Sequence, residues 1–226
     1  MSRGLLVTGT DTGCGKTEAG LALMAALQAR GLVVLGMKPV ASGCERTPNG
    51  LRNADALRLA AQGSLAVAYD EVNPFAFEPA IAPHIAAARE GRTIEPAVIT
   101  RAYQALAARA DRVVAEGVGG WRVPLGGVGE VADLPALLGL PVVLVVGLRL
   151  GCINHALLTA ESIVRRGAAL AGWVGSLVEP DMAALGENLA ALSCGIPAPC
   201  LGVLPWHPGA TPEAMAAHLD LGPLPD

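Results

Sequence analysis

Residues Gly9 to Thr17 read GTDTGCGKT, between the apolar run GLLVTG and the helix-forming stretch TEAGLALMAALQARG. A glycine-rich turn that ends a strand, opens a helix and closes on Gly-Lys-Thr is compatible with few folds. Its N–H groups and the helix N-terminus converge on one spot, which suits an anion. Gly13 and Gly15 permit positive φ and a close backbone approach. Lys16 would lie along the β and γ phosphates of a nucleotide, and the Thr17 hydroxyl would reach Mg2+. The common form of this loop has one residue fewer between its first glycine and the Gly-Lys-Thr than the five found here, Thr10 to Cys14.

The rest of the chain repeats the alternation that the loop implies. LVVLGMKP, DRVVAEG, LPVVLVVG, LAGWVGSLV and CLGVLP are short, continuously apolar runs, and helical stretches fall between them at 55–62, 95–110, 154–167 and 181–192. Strands that are apolar throughout are buried on both faces, as in a parallel sheet covered by helices on both sides and joined by right-handed crossovers. The expected fold is therefore α/β: one P-loop NTPase-like domain spanning 1–226, with a mostly parallel sheet. Apolar residues make up 52% of the chain and charged residues 16%, ample for a core of that size. In such sheets ligands sit at the carboxyl ends of the strands. The loop, Lys38-Pro39, Glu116-Gly117, Gly147, Gly175-Ser176 and Pro205-Trp206 all fall at that edge.

Several functions are disfavoured by composition. The net charge is −4, with no basic run, so sequence-independent nucleic-acid binding has no electrostatic footing. The opening MSRGLLVTGT lacks a signal-peptide pattern, and the longest uncharged apolar run, 134–148, contains Pro135 and Pro141. No membrane segment is expected, and the expected location is cytoplasmic. The five cysteines form no C-x-x-C pair, so neither a zinc site nor a disulfide framework is expected. Cys14, Cys194 and Cys200 read as small fillers.

Of the sixteen basic residues only two are lysines, Lys16 and Lys38, the second in GMKPVASG. Compositional bias explains scarcity but not placement. A compact ammonium approaches a phosphate or carbamate oxygen end-on, which a planar guanidinium does not. About twenty residues separate the two, room for one helical crossover, so Lys38 is expected at a strand end close to the first strand. For Mg2+ the oxygen donors are Thr17, Asp55 in LRNAD and Glu116 after DRVVA. Asp55 reads equally well as a helix N-terminal charge; Glu116, ending an apolar strand, needs a partner if buried. GCINHALLTAESI, from Gly151, reads as a helix with an Asn at its start; its N–H groups either hold a carboxylate or are simply capped. His84, in APHIAA, is a base or a packing residue.

Taken together, GTDTGCGKT, KPVASG, LRNADAL, APHIAA, EGVGGW, LGCINHALLTAE and LAGWV, in this order, resemble segments of the dethiobiotin synthetase family, whose loop is likewise one residue longer than the common form. Pro205-Trp206 continues the match, which thins beyond it. The resemblance implies that ATP, CO2 (or bicarbonate) and 7,8-diaminononanoate give dethiobiotin, ADP and phosphate through a carbamate and a mixed anhydride, with Mg2+. It implies that Lys38, Lys16 and Thr12 act at the reacting groups. Nucleotide contacts would come from Gly13, Cys14, Gly15, Lys16, Thr17, Glu18, Asp55, Glu116, Gly117, Val118, Gly119, Ser176, Leu177, Pro205, Trp206 and His207. Ser42 would hold the substrate near its reacting end. Gly151, Cys152, Ile153 and Asn154 would take the carboxylate from a neighbouring subunit, so a homodimer is implied.

Two departures stand out. Ser176 occupies the place of an Asn that reads the adenine edge in familiar members, and Gly13 replaces an acidic residue found in some of them. Two other readings are compatible with a loop of this kind. An amidoligase with a domain of this kind would carry a glutaminase domain, for which a chain ending at Asp226 is expected to leave no room. A partitioning or targeting ATPase switch would have a signature lysine where Asp11 stands and a basic amphipathic tail, whereas TPEAMAAHLDLGPLPD has no Lys or Arg.

Overall fold

A computed structural model describes residues 4–127 and 129–224. Six parallel strands form the central sheet: β1 (Gly4–Gly9), β2 (Val34–Met37), β3 (Arg112–Glu116), β4 (Val142–Leu148), β5 (Leu170–Leu177) and β6 (Cys200–Leu204), in the order β6-β5-β4-β1-β3-β2. Helices α1 (Lys16–Gln28), α2 (Ala54–Gln62), α3 (Tyr69–Val72), α4 (Pro83–Arg89), α5 (Pro96–Ala107), α6 (Leu134–Leu138), α7 (Cys152–Arg165), α8 (Leu185–Gly195) and α9 (Pro212–Ala216) connect and cover it. The described residues also include a short parallel pair, Val40–Ala41 with Phe75–Ala76, and two small hairpins, 45–52 and 124–130.

The strands are apolar throughout because alternate residues feed two cores. Leu5, Val7, Val114, Val143, Val145 and Val174 face α1, with Leu59 of α2 and Met215 of α9 in the same layer. Leu6, Val113, Ala115, Leu144, Val146 and Trp173 face the other way, onto α5, α6, α7 and Leu192 of α8. Side chains alternate across a strand with period two, so each strand seals both layers. This is the expected covered parallel sheet. No helix among the described residues is long and apolar enough to cross a membrane.

Some boundaries move. Helix α7 begins at Cys152, two residues before the expected start, because Gly151 takes φ 95° and serves as the N-cap. Asn154 therefore lies in the first turn and does not cap it. Helix α8 begins at Leu185, after Ala184 in the left-handed region, rather than at Asp181. Cys194 and Cys200 are exposed and so are not core fillers: one ends α8 and the other opens the edge strand β6, where nothing covers them.

At the edge where the strands begin, a cavity of about 710 Å3 is lined by Gly4, Leu27, Leu140, Leu221 and Leu224, among others. At the edge where they end lies a larger cleft of about 920 Å3, open along the loop after β1.

Candidate active site

Strand order explains why the charged residues meet. The crossover through α1 carries the chain from β1 to β2, but β3 inserts between them. Lys38 therefore stands one strand further from the loop than adjacency of β1 and β2 would put it, and Glu116, at the end of β3, lies between Lys38 and the loop. Glycine brings the last member in. A Cβ on Gly36 would lie 2.8 Å from Cβ of Leu59 and 2.9 Å from its carbonyl oxygen. Only glycine lets α2 press so closely on β2, and the N-terminus of α2 carries Asp55 to Lys38.

Lys38 Nζ donates to Glu116 Oε1 at 2.5 Å and to Asp55 Oδ2 at 3.1 Å. The Thr17 hydroxyl donates to the same Glu116 oxygen at 3.1 Å. Lys38 is 3% exposed and Glu116 1%, so Glu116 has the partner its burial requires. Its other oxygen, Oε2, is buried without a hydrogen-bond partner. Lys16, also buried, donates to the carbonyl of Asp11 at 2.9 Å. Asp11 is held in turn by Arg149 at 2.5 Å, which anchors the loop to the end of β4.

Burial works against the Lys38 ammonium, but Glu116 and then Asp55 outweigh it and hold its pKa above the ordinary lysine value. Burial likewise works against charge on Asp55, yet Lys38 holds that carboxyl below the usual aspartate range. A raised lysine stabilises below its unfolded pKa and loses the contribution as pH rises through the folded value. A depressed carboxyl stabilises above its unfolded pKa and loses the contribution as pH falls through the folded value. The Lys38–Asp55 pair is thus intact from about pH 5 to about pH 10. Asp55→Asn should lower the urea midpoint throughout that window, modestly because Asp55 is half exposed. The difference from wild type should close as the pH falls below the folded pKa of Asp55. A gap that persists unchanged into strong acid would place the loss elsewhere.

Most of the expected residues line the cleft: Thr12, Gly13, Gly15, Lys16, Thr17, Glu18, Lys38, Ser42, Asp55, Glu116, Val118, Gly119, Ser176, Leu177, Pro205, Trp206 and His207. Cys14 does not; it is fully buried beneath the loop, where Cβ atoms on Gly9 or Gly147 would collide with it. Gly117 is buried and its N–H is spent on the carbonyl of Val7. Gly151, Cys152, Ile153 and Asn154 lie outside the cleft, with Cys152 in the core. His84 sits in the first turn of α4 with Nδ1 buried and unpartnered, and it does not line the cleft.

The structure adds residues that the sequence left unmarked. Arg58 on α2 grips Glu18 with two hydrogen bonds, 2.6 and 2.9 Å. Ile81, Ala82, Val123 and Met215 complete the walls. Only APHIAA hinted at part of this; the rest carries no local signal. Among the described residues no cluster of three or more His, Cys, Asp or Glu side chains could hold a metal by itself.

Comparison with known proteins agrees with the geometry. Residues 3–214 match an AAA domain family. The chain is 58% identical over 219 residues to the ATP-dependent dethiobiotin synthetase of Pseudomonas paraeruginosa, covering 96% of each. It is 53% identical over 224 residues to that of Cellvibrio japonicus, covering 99% of this chain and 98% of the relative. Among solved structures, the signal recognition particle receptor of Elizabethkingia anophelis superposes with a TM-score of 0.58 at 15% identity, covering 99% of this chain and 63% of the receptor. A cell division protein of Thermotoga maritima gives 0.55 at 18%, covering 95% and 64%. The chain spans less than two thirds of those two proteins, and at such identities they speak for the fold alone. Identity above half across nearly the whole length of both chains is a different matter, and on it the chain belongs to the dethiobiotin synthetase family.

Proposed function

We propose that the cleft joins ATP, CO2 and 7,8-diaminononanoate into dethiobiotin, with release of ADP and phosphate. One amine adds to CO2 and forms a carbamate. A carbamate oxygen takes the γ-phosphoryl group from ATP. The second amine then attacks the carbamoyl carbon, phosphate leaves, and the cyclic urea closes. Phosphoryl transfer asks a protein for position and charge neutralisation more than for covalent help. The observation that carries the reading is that the only two lysines of the chain, both buried, line one cleft with the loop.

Each residue has a part in this proposal. The N–H groups from Gly13 to Thr17 and the start of α1 hold the nucleotide phosphates. Lys16 leaves the Asp11 carbonyl for them, and Lys38 meets the carbamate and the transferring phosphoryl oxygens. Thr12 and Ser42 line the part of the cleft where the diamine reacts. Leu177, Pro205, Trp206 and His207 enclose the base, with Trp206 44% exposed and open to stacking. Thr17, Asp55 and Glu116 offer hard oxygens, including the unpartnered Glu116 Oε2, and this set fits Mg2+ shared with phosphate oxygens. Bound there, the ion would neutralise charge on the β and γ phosphates. Gly151 to Asn154 serve the carboxylate in a partner subunit's cleft. Leu150, 99% exposed, and Leu158, 59% exposed, put apolar surface on that segment, as a homodimer contact would need.

Mass detection of dethiobiotin after incubation with Mg-ATP, bicarbonate and the diamine tests the reading. Product that needs all three supports it; phosphate release without product moves the assignment to an ATPase switch or an amidoligase.

Base selection follows from Ser176. A Cβ on Gly15 would fall 2.2 Å from Ser176 Oγ, so the hydroxyl is packed against the loop, and it cannot make the two-point contact of an amide. In side-by-side kinetics kcat/KM for CTP and GTP should stay within about tenfold of ATP, the scale of one lost hydrogen-bonding contact. An ATP preference of about a hundredfold or more would contradict this.

A further inference from the structure

The ion pair between Lys38 and Asp55 joins two segments that have no backbone hydrogen bonds to each other in the ladder of the sheet. What fixes their spacing lies behind them. Asn73 is 2% exposed. Its Nδ2 donates to the carbonyl of Lys38 at 2.7 Å and to that of Phe75 at 3.2 Å. Its Oδ1 accepts from the Tyr69 hydroxyl at 3.0 Å. The same hydroxyl oxygen accepts from the backbone N–H of Asn53 at 2.7 Å. Asn53 is the N-cap of α2, its Oδ1 accepting from Ala56 N–H at 3.1 Å, and Asp55 follows two residues on. The Lys38 N–H is tied to the carbonyl of Val72 at 2.8 Å. One relay, Asn73–Tyr69–Asn53, thus holds the backbone of the lysine at one end and the cap of the helix bearing the carboxylate at the other.

We infer that Tyr69 and Asn73 are positioning residues of this enzyme, acting through the spacing of Lys38 and Asp55. The inference rests on the functional reading of those two side chains given above. The two asparagines of the relay are buried and Tyr69 is half-buried between them, and the hydrogen bonds on both sides of its hydroxyl make the relay stiff. The Tyr69 ring is held independently by the guanidinium of Arg52, 4.1 Å from its centroid, so loss of the hydroxyl alone leaves the ring in place. Small errors in the placement of reacting groups are costly in rate.

The test is Tyr69→Phe in the full chain, alone and combined with Asp55→Ala. Tyr69→Phe should lower kcat for dethiobiotin formation about tenfold while KM for ATP moves less than about threefold. In the Asp55→Ala background the same change should cost less than about twofold, because residues acting along one line are not additive. Hydrogen exchange gives a readout that needs no turnover: amides at 53–57 should exchange about tenfold faster in Tyr69→Phe, with those of α7 unchanged. Asn73→Asp keeps an acceptor for the hydroxyl but sets an oxygen against the Lys38 carbonyl. It should show the same kcat loss, and it serves in place of Tyr69→Phe if that variant does not fold. Wild-type kcat in Tyr69→Phe, or an equal loss with and without Asp55, overturns the inference. A wild-type chain that makes no dethiobiotin overturns the functional reading instead, and exchange at 53–57 then decides the relay alone.

Discussion

Lys38→Ala should lower kcat by about a thousandfold while ATP affinity stays within about threefold, because a donor aimed at developing charge in a dry site is worth that much to turnover. In the proposed mechanism the lysine acts on the carbamate and the migrating phosphoryl group, not on the parts of the nucleotide that supply most of its binding. Truncation also strands Glu116. That carboxylate is 1% exposed and would keep only the Thr17 hydroxyl. Removing one partner of a buried ion pair costs about 3–5 kcal/mol, so the variant should unfold at clearly lower denaturant. Lys38→Arg is not a conservative repair, since a guanidinium is wider and presents a rigid fork. Equilibrium binding of ATP to the folded variant, measured beside steady-state kinetics, separates the two effects. Unchanged turnover would remove Lys38 from the mechanism.

Gly15→Ala should abolish useful nucleotide binding, with at least a hundredfold loss of ATP affinity, about 2.7 kcal/mol. Two penalties add at this position. Gly15 has φ 89°, a region that costs a residue with a Cβ about 1–2 kcal/mol. The new Cβ would also stand 2.2 Å from Oγ and 2.8 Å from Cβ of Ser176. The loop or the end of β5 must shift, and the N–H groups then no longer converge. The clash can be relieved separately. Gly15→Ala with Ser176→Gly should regain part of the lost affinity, because only the dihedral penalty remains. Isothermal titration of both variants decides it, and a double variant no better than the single one would mean the contact with Ser176 is not what excludes alanine.

The parts of the fold legible in the sequence are those whose cause is local. Each central strand carries apolar residues to two cores, so all six announce themselves as unbroken runs, and a glycine loop between strand and helix has one geometry. Lys16, Lys38, Glu116 and Asp55 were visible because each sits at a strand end or helix start where charge is unusual. What the sequence hid depends on pairing at a distance. Tyr69 lies in a helix of four residues, too short for any period, and its hydroxyl meets Asn53, the cap of α2, and Asn73, which reaches on to the segment after β2. Arg58 looks like ordinary helix surface until Glu18 is placed opposite it. The start of α7 is hidden because an Asn suggests a cap by its side chain, whereas Gly151, three residues earlier, takes the N-cap position with φ 95°. Cys194 and Cys200 look like core fillers because composition cannot say which face of α8 is left uncovered or which strand lies at the sheet's edge.

The cavity at the other edge of the sheet has a practical consequence. Gly4 and Leu224 both line it, so the two ends of the described chain come together on the side away from the nucleotide cleft. Chains whose ends meet tolerate rewiring. A short linker from one end to the other, with new termini cut in an exposed loop such as 90–93, would leave the loop after β1, Lys38 and the tyrosine relay uncut. A reporter domain joined at Gly4 or Leu224 would likewise start on the face opposite the cleft.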